Sequence, residues 1–292
     1  VMPVPGKASV YPDKLTRGAE NRHQQFRSPT LELLRELEQN GVASIDLFTT
    51  FQTLRKEHPL LPSDKAYYLK RDTHWAPQAV RVAAQVTAEK IKRMGVEPEV
   101  SRSFDVRKVS VRRNGDILEM MGIPGARDAF PAQAIECEQV FHKTFGPMLD
   151  ENSPRAGTYM NLVRPDTSTS VLVLGDSFCR IYQLPEPQSL GESPDAVGKE
   201  ETDGSGDDSG RTKRLLPGSA GFPSHLALAM GTTVDYIVSD GGAATDVRRQ
   251  LSTNAEILEG KKIVIWEFVE RDIVLGAKGW QDVPLPPKMP GG

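Results

Sequence analysis

Only two cysteines, Cys137 and Cys179, occur in 292 residues. A disulfide-stapled scaffold is thereby excluded, since two thiols close at most one bridge; whether they pair stays open, and so does the redox compartment. CxxC, HExxH and clustered histidines are missing too, so there is no metal signature, and neither a metal nor another cofactor is expected. Neither sign of charge dominates: 36 Lys and Arg stand against 39 Asp and Glu, a formal net charge of −3. Nucleic-acid binders normally show a basic face or a run of Lys and Arg, so nucleic acid is not an expected partner. No apolar run approaches the roughly 18 residues of a membrane-spanning helix. The chain opens VMPVPGK with neither an initiator Met nor a charged-then-apolar leader, and reads as trimmed, with room for a lost signal peptide or anchor.

What is present is length enough for a sizeable core, in one large α/β domain or two small ones. The Pro- and Lys-rich first 20 residues read as extended loop. Leu31, Leu33, Leu34 and Leu37 mark an amphipathic helix over 29–40, ended by Asn40-Gly41. A short strand is expected at 42–47 before a second helix, and AYYLK (66–70) as an extended run. Val80, Ala83, Ala84, Val86 and Ile91 share one side of a strong helix from Pro77 to Met94. Residues 101–165 lose helical periodicity and carry strand-like pieces, which predicts a small β-rich insertion. The stretch 185–217 contains GKEETDGSGDDSGRTK, nearly free of large apolar groups, and reads as a disordered acidic surface loop. From Val171 onward the order is β-α-β-α-β, which predicts a parallel sheet between helices with its ligand crevice at the strands' carboxyl ends. GDSF (175–178), SDGG (239–242) and EFVER (267–271) fall there.

Ser177 sits in VLVLGDSFCR, at a strand-to-helix turn that would hold its hydroxyl over the sheet edge and its amide at the helix N-terminus. Read alone, GDS is also an ordinary turn with capping residues. A serine nucleophile needs a base. Of the five histidines, only His74 has a carboxylate at a suggestive spacing, in KRDTHWAP. In an extended segment Asp72 and His74 face the same way, so Asp72 would fix the ring tautomer and leave the other nitrogen to take a proton from Ser177. Trp75 would pack beside the imidazole and exclude water. The plainer reading is a surface Asp-x-His capping the helix at Pro77. Cys179 reads as a small buried apolar side chain, not a nucleophile.

DTHW upstream of GDSF resembles the AlgX/AlgJ-type proteins of alginate O-acetylation, which carry an SGNH-hydrolase-like domain. As in that group, the Asp-x-His pair precedes the serine by about a hundred positions, an order permuted relative to ordinary SGNH esterases. VPGKASVYPDKL, GVASIDL, YYLKRDTHWAPQAV, NGDILEMM, GFPSHLA and IWEFVERD extend the likeness over most of the chain. The resemblance implies one SGNH-hydrolase-like domain over 1–292, a three-layer α/β sandwich with a mostly parallel central sheet. It also implies Ser177 as nucleophile, His74 as general base and acid, and Asp72 as orienting carboxylate. SGNH enzymes commonly add oxyanion donors after the second and third strands. Gly242 or Gly241 fits the first place; no Asn stands at the second, where Arg271 is a candidate. By resemblance alone, Lys7 and Tyr11 border the cleft.

The implied activity is polysaccharide O-acetyl transfer through an acetyl-serine, in modification of an alginate-like exopolysaccharide in the periplasm or cell envelope. Its partners would be a polysaccharide acceptor and an acetyl donor, which a membrane acetyl-transfer protein could supply. The same three residues would serve a carbohydrate acetylesterase. A catalytically silent carbohydrate-binding protein is the remaining reading.

Overall fold

The computed structural model describes residues 1–15, 28–57, 66–97, 100–143, 162–184, 218–242, 244–274 and 280–284. Its main sheet has four parallel strands in the order β1 (Met2–Val4), β6 (Ile263–Val269), β4 (Val171–Gly175), β5 (Asp235–Val238). Four strands running one way require crossovers, and helices supply them, giving the α/β sandwich expected for an SGNH-hydrolase-like domain.

The central strand β4 shows how sequence produces layers. VLVLG is buried along its whole length, because both faces are covered. Val171 and Val173 point into a large core with α4 (Pro77–Arg93) and α8 (Phe222–Met230), while Leu172 and Leu174 meet Val247 and Leu251 of α9 (Asp246–Thr253) on the other side. With period-2 alternation, one aliphatic run serves two cores. Leu172 is fully buried. Leu172→Ala should therefore destabilise the fold by about 2–5 kcal/mol, read from chemical denaturation.

The helices expected at 29–40 and 77–94 form as α2 (Pro29–Gln39) and α4, the latter following α3 (Leu47–Glu57). Two local expectations fail. The opening residues are not simply extended loop: Met2–Val4 pairs with Glu267–Val269 as an edge strand, and α1 (Lys7–Val10) and a 3-10 turn at Pro12–Lys14 follow. The partner strand lies more than 260 positions away, so no local pattern could announce it. No strand forms at 42–46; that segment instead joins the chain start, with the Val1 ammonium donating to the Ala43 carbonyl (2.7 Å) and the Ile45 amide to the Val1 carbonyl (2.9 Å).

The stretch 101–165 supplies an antiparallel pair outside the main sheet, β2 (Phe104–Arg113) with β3 (Gln133–His142). Between them come α5 (Asp116–Met120) and α6 (Ala126–Ala129). The acidic segment 185–217 lies outside the described residues. After β4 comes the one-turn helix α7 (Ser177–Arg180), and after β6 comes α10 (Glu270–Val274). Among the described residues no helix is long and apolar enough to cross a membrane. Both cysteines are buried and unpaired. Burial pushes the Cys137 thiol up to about 12 and the Cys179 thiol well above its usual range, so neither is a thiolate.

Candidate active site

Three chain segments meet at the carboxyl end of β4. The first is the strand-to-helix turn. Asp176 is extended (φ −99°, ψ −156°) and caps α7, its carboxylate accepting from the Phe178 amide at 2.8 Å. That cap turns the chain sharply and leaves Ser177 half-buried at the first position of α7. Gly175 is required just before it: a Cβ there would lie 2.5 Å from Cys179 Sγ and 2.8 Å from Glu267 Oε2.

The second segment, 67–76, doubles back on itself through the Ala76 amide to the Tyr67 carbonyl (2.8 Å) and the Leu69 amide to the His74 carbonyl (3.2 Å). Asp72 and His74 are thus in a tight turn, not an extended run. Their common facing is produced differently from the sequence expectation: Asp72 Oδ1 accepts both the His74 amide (2.9 Å) and the ring Nδ1 (2.6 Å). The free ring nitrogen, Nε2, lies 2.8 Å from Ser177 Oγ. Residues 103 positions apart in sequence are in hydrogen-bond contact.

The third segment, at the end of β2 and the start of α5, is one that the sequence reading did not assign to the site. Arg113 Nε donates to Asp72 Oδ2 at 2.5 Å, and the Asp116 amide to the same oxygen at 3.4 Å. The Asp116 carboxylate receives the Thr73 amide at 2.7 Å and the Thr73 hydroxyl, and its Oδ2 lies 3.3 Å from His74 Nδ1. The signal was in RRNGD, where Asn-Gly marks a turn, but the turn's destination is not a local property.

Charge follows from these contacts. Burial alone would raise the Asp72 carboxyl, but the His74 hydrogen bond and the charges of His74 and Arg113 hold it well below the usual carboxylate range. Burial alone would lower His74. Hydrogen bonds and charges from Asp116 and Asp72 outweigh it and raise the imidazole to about 9. A raised histidine stabilises the fold fully below the unfolded value of 6.5, and the contribution is lost as pH rises through about 9. Asp72, His74 and Asp116 also offer three donor atoms within 4.8 Å of one another. Two ligands on one tetrahedral ion at about 2.1 Å would stand about 3.4 Å apart. The 2.6 Å Asp72–His74 separation is instead a charge-assisted hydrogen bond.

These observations meet the comparisons with known proteins. A family model described as "SGNH hydrolase-like domain, acetyltransferase AlgX" matches residues 1–213, nearly three quarters of the chain. The chain belongs to this family. Two solved structures share its fold at 17% identity. One is the O-acetyltransferase domain of Pseudomonas putida AlgJ (TM-score 0.58, covering 93% of this chain and 74% of that one). The other is Pseudomonas aeruginosa AlgX (TM-score 0.56, covering 92% and 51%), of which the chain spans about half the length. Set against curated protein sequences, the chain finds no match.

In this AlgX-family domain the other expected site residues stand apart from the expectations. Gly242 does not offer its amide to the site; it closes its own turn by donating to the Ser239 carbonyl at 3.2 Å. Gly241 is exposed in the left-handed region (φ 65°), where glycine is needed for the turn. Arg271 is exposed on α10, and its charge acts on Asp176. Trp75 is fully buried, and is a core anchor, not a substrate contact. Its indole donates to the Phe178 carbonyl at 2.9 Å, and it is Phe178 whose ring lies beside the imidazole, 4.8 Å between centroids. Lys7 clamps the site loop from below, donating to the carbonyls of Leu69 (2.5 Å), Lys70 (2.7 Å) and Asp72 (3.1 Å). Tyr11 accepts the Tyr67 amide at 3.0 Å beneath the Arg55 guanidinium. Both support the loop that carries His74.

Beneath the serine turn is a second acid group. Glu267 is fully buried on β6 and accepts the Asp176 amide at 2.9 Å. Burial and the neighbouring Asp176 push its carboxyl well above 4.5. Burial likewise raises Asp176, to about 6, against the Phe178 amide and the Arg271 charge. A carboxyl that stays protonated in the fold but ionises when unfolded weakens the fold as pH rises above 4.5. Glu267→Gln removes that dependence with little change of shape. Thermal melts at pH 5 and pH 8 should show the variant gaining on the unsubstituted protein at the higher pH. An unchanged difference between the two pH values would show that Glu267 is ionised in the fold.

Proposed function

We propose that this protein is an O-acetyltransferase acting on a polysaccharide, with Ser177 as nucleophile, His74 as general base and acid, and Asp72 as the carboxylate that orients it. The observation that carries the reading is the continuous relay from Asp72 Oδ1 to Nδ1 (2.6 Å) and from Nε2 to Ser177 Oγ (2.8 Å). With Asp72 on Nδ1, the tautomer that accepts at Nε2 is favoured.

In the first half-reaction, Nε2 takes the Ser177 proton as Oγ attacks the carbonyl carbon of an acetyl ester. The tetrahedral oxyanion collapses, the donor's alkoxide leaves with the proton from Nε2, and an acetyl-serine remains. In the second, a sugar hydroxyl gives its proton to Nε2 and attacks the acetyl carbon. The acetyl group passes to the sugar, and Ser177 Oγ recovers the proton. The Ser177 amide, at the start of α7, is the expected oxyanion donor. Membership of the AlgX acetyltransferase family supports transfer over hydrolysis, and the resemblance of DTHW and GDSF to the proteins of alginate O-acetylation points to an alginate-like exopolysaccharide of the cell envelope as the acceptor. The AlgJ and AlgX likenesses support the fold on which this rests.

The test is mass spectrometry of products after incubation with an activated acetyl ester, with and without uronic-acid oligosaccharides. Acetylated sugar is the expected product. Free acetate alone, unchanged by acceptor, would assign an esterase instead. Because the base form of His74 is needed and its pKa is about 9, kcat/KM should rise with pH and level off above about 9. A plateau already reached at pH 7 would contradict the two-carboxylate environment of the ring.

A further inference from the structure

Asp116 stands on the same nitrogen of His74 as Asp72 does, from a different part of the chain. Its Oδ2 is 3.3 Å from Nδ1, against 2.6 Å for Asp72 Oδ1. Its placement is built, not incidental. The Thr73 amide and hydroxyl both donate to its carboxylate, and its own amide reaches Asp72 Oδ2. Gly115 makes the approach possible, because at φ +95° it lets the chain pass so close to Arg71 that a Cβ would lie 2.1 Å from that carbonyl oxygen. A helix cap would explain none of this, since Asp116 is the first residue of α5 and not its cap.

The other charged groups around the ring are arranged to leave this pair in control. Arg113 neutralises Asp72 at its far oxygen, and Lys7 holds the Asp72 carbonyl from α1. Asp176, in the β4–α7 turn, feels the charges of His74 and Arg271, and burial pushes the neighbouring Glu267 carboxyl well above its usual range. Arg113 draws on Asp72 and weakens its pull on the imidazole. The Lys7 charge acts on Asp72 and Asp116 alike, and Asp116 Oδ2, 3.3 Å from Nδ1, is close enough for its charge to act on His74 directly.

We propose that Asp116 is a second carboxylate partner of His74 Nδ1, a positioning residue that shares the ring proton with Asp72 and stabilises the imidazolium formed when Ser177 is deprotonated. The inference deepens the acyl-transfer reading and its activity arm rests on it. The consequence is an operating range: the second carboxylate moves the pH at which His74 becomes a base upward, and the protein works best in alkaline solution. Removing the charge lowers that pH and weakens the imidazolium.

The decisive measurement does not require turnover. In the full chain, the His74 ring is titrated by NMR of its labelled nitrogens, with and without Asp116→Asn. The asparagine retains an acceptor for the Thr73 amide and loses only the charge. The expected result is a His74 midpoint lower by about one pH unit or more, as for loss of an opposite charge at this range. Asp116→Glu, which keeps the charge, should restore much of it. The pH–rate limb for an acetyl ester should move with the midpoint. An unchanged midpoint in a folded Asp116→Asn protein would reduce Asp116 to a loop support and overturn the proposal. If the asparagine variant does not fold, the Asp116 carboxyl carbon of the unsubstituted protein is followed instead. A step at the His74 midpoint supports the shared proton, and a flat trace overturns it. A shifted midpoint with no acetyl transfer at all would leave this pairing standing and sink the enzymatic reading.

Discussion

Ser177→Ala is expected to lower turnover of a small acetyl ester by about 10³-fold or more while leaving the melting temperature nearly unchanged. The hydroxyl is half-buried, and its described partner is His74 Nε2, so removing it deletes the bond-forming atom without opening a cavity. His74→Ala should be equally severe, because groups that act as one unit lose most of the rate when any member goes. Asp72→Asn should cost a similar or larger factor: the amide would favour the tautomer with the proton on Nε2, facing Ser177. It would also leave Arg113, now paired at 2.5 Å with Asp72 Oδ2, facing a neutral group. The comparison of Ser177→Ala with the unsubstituted protein, both checked for fold by circular dichroism, is the sharpest. Near-normal turnover in the folded alanine variant would remove acyl-serine chemistry from consideration.

Gly115→Ala should produce the largest loss of stability of any single methyl added near the site. The residue sits at φ +95°, where an L side chain is strained by about 1–3 kcal/mol. The added Cβ would also meet the Arg71 carbonyl oxygen at 2.1 Å and its carbon at 2.6 Å, both backbone atoms that cannot rotate away. Together these should destabilise by about 3 kcal/mol or more, a fall of about 6–12 °C in melting temperature. Activity should fall further than stability explains, because Arg113 and Asp116 flank this turn and both touch the Asp72–His74 pair. A melting temperature within about 2 °C of the unsubstituted protein would show that the turn relaxes freely.

The same turn shows where reading along the chain stopped. DTHW and GDSF each pair a chemical group with a local backbone device, a turn or a cap, and such devices are written in neighbouring residues. Their combination, and the likeness it carries, points to Ser177, His74 and Asp72 from the sequence alone. Arg113 and Asp116 carry no such signal, because nothing near them in sequence indicates that the end of β2 and the start of α5 meet the Asp72 loop, 41 positions earlier for Arg113. The oxyanion glycines failed for the opposite reason. Gly241 and Gly242 were placed by analogy of strand order, but a glycine's amide goes wherever its turn closes, and here Gly242 closes on Ser239. Trp75, next to His74 in sequence, is fully buried and packs with Phe178 and Phe222, and Phe178 is the ring beside the imidazole.

Local patterning therefore determined the α/β class, the helices at 29–39 and 77–93 and the buried strand at 171–175, and with the family likeness it pointed to Ser177, His74 and Asp72. Those follow from periodicity and capping, which act over a few residues. Tertiary structure alone decided that Met2–Val4 completes the sheet beside β6, that Lys7 and Tyr11 brace the histidine loop, and that Glu267 lies buried beneath the serine turn with its carboxyl pushed well above its usual range. It also decided that two carboxylates, not one, stand on His74. Each of these depends on which distant segments the core brings together and how much water it excludes, and both are properties of the packed chain as a whole.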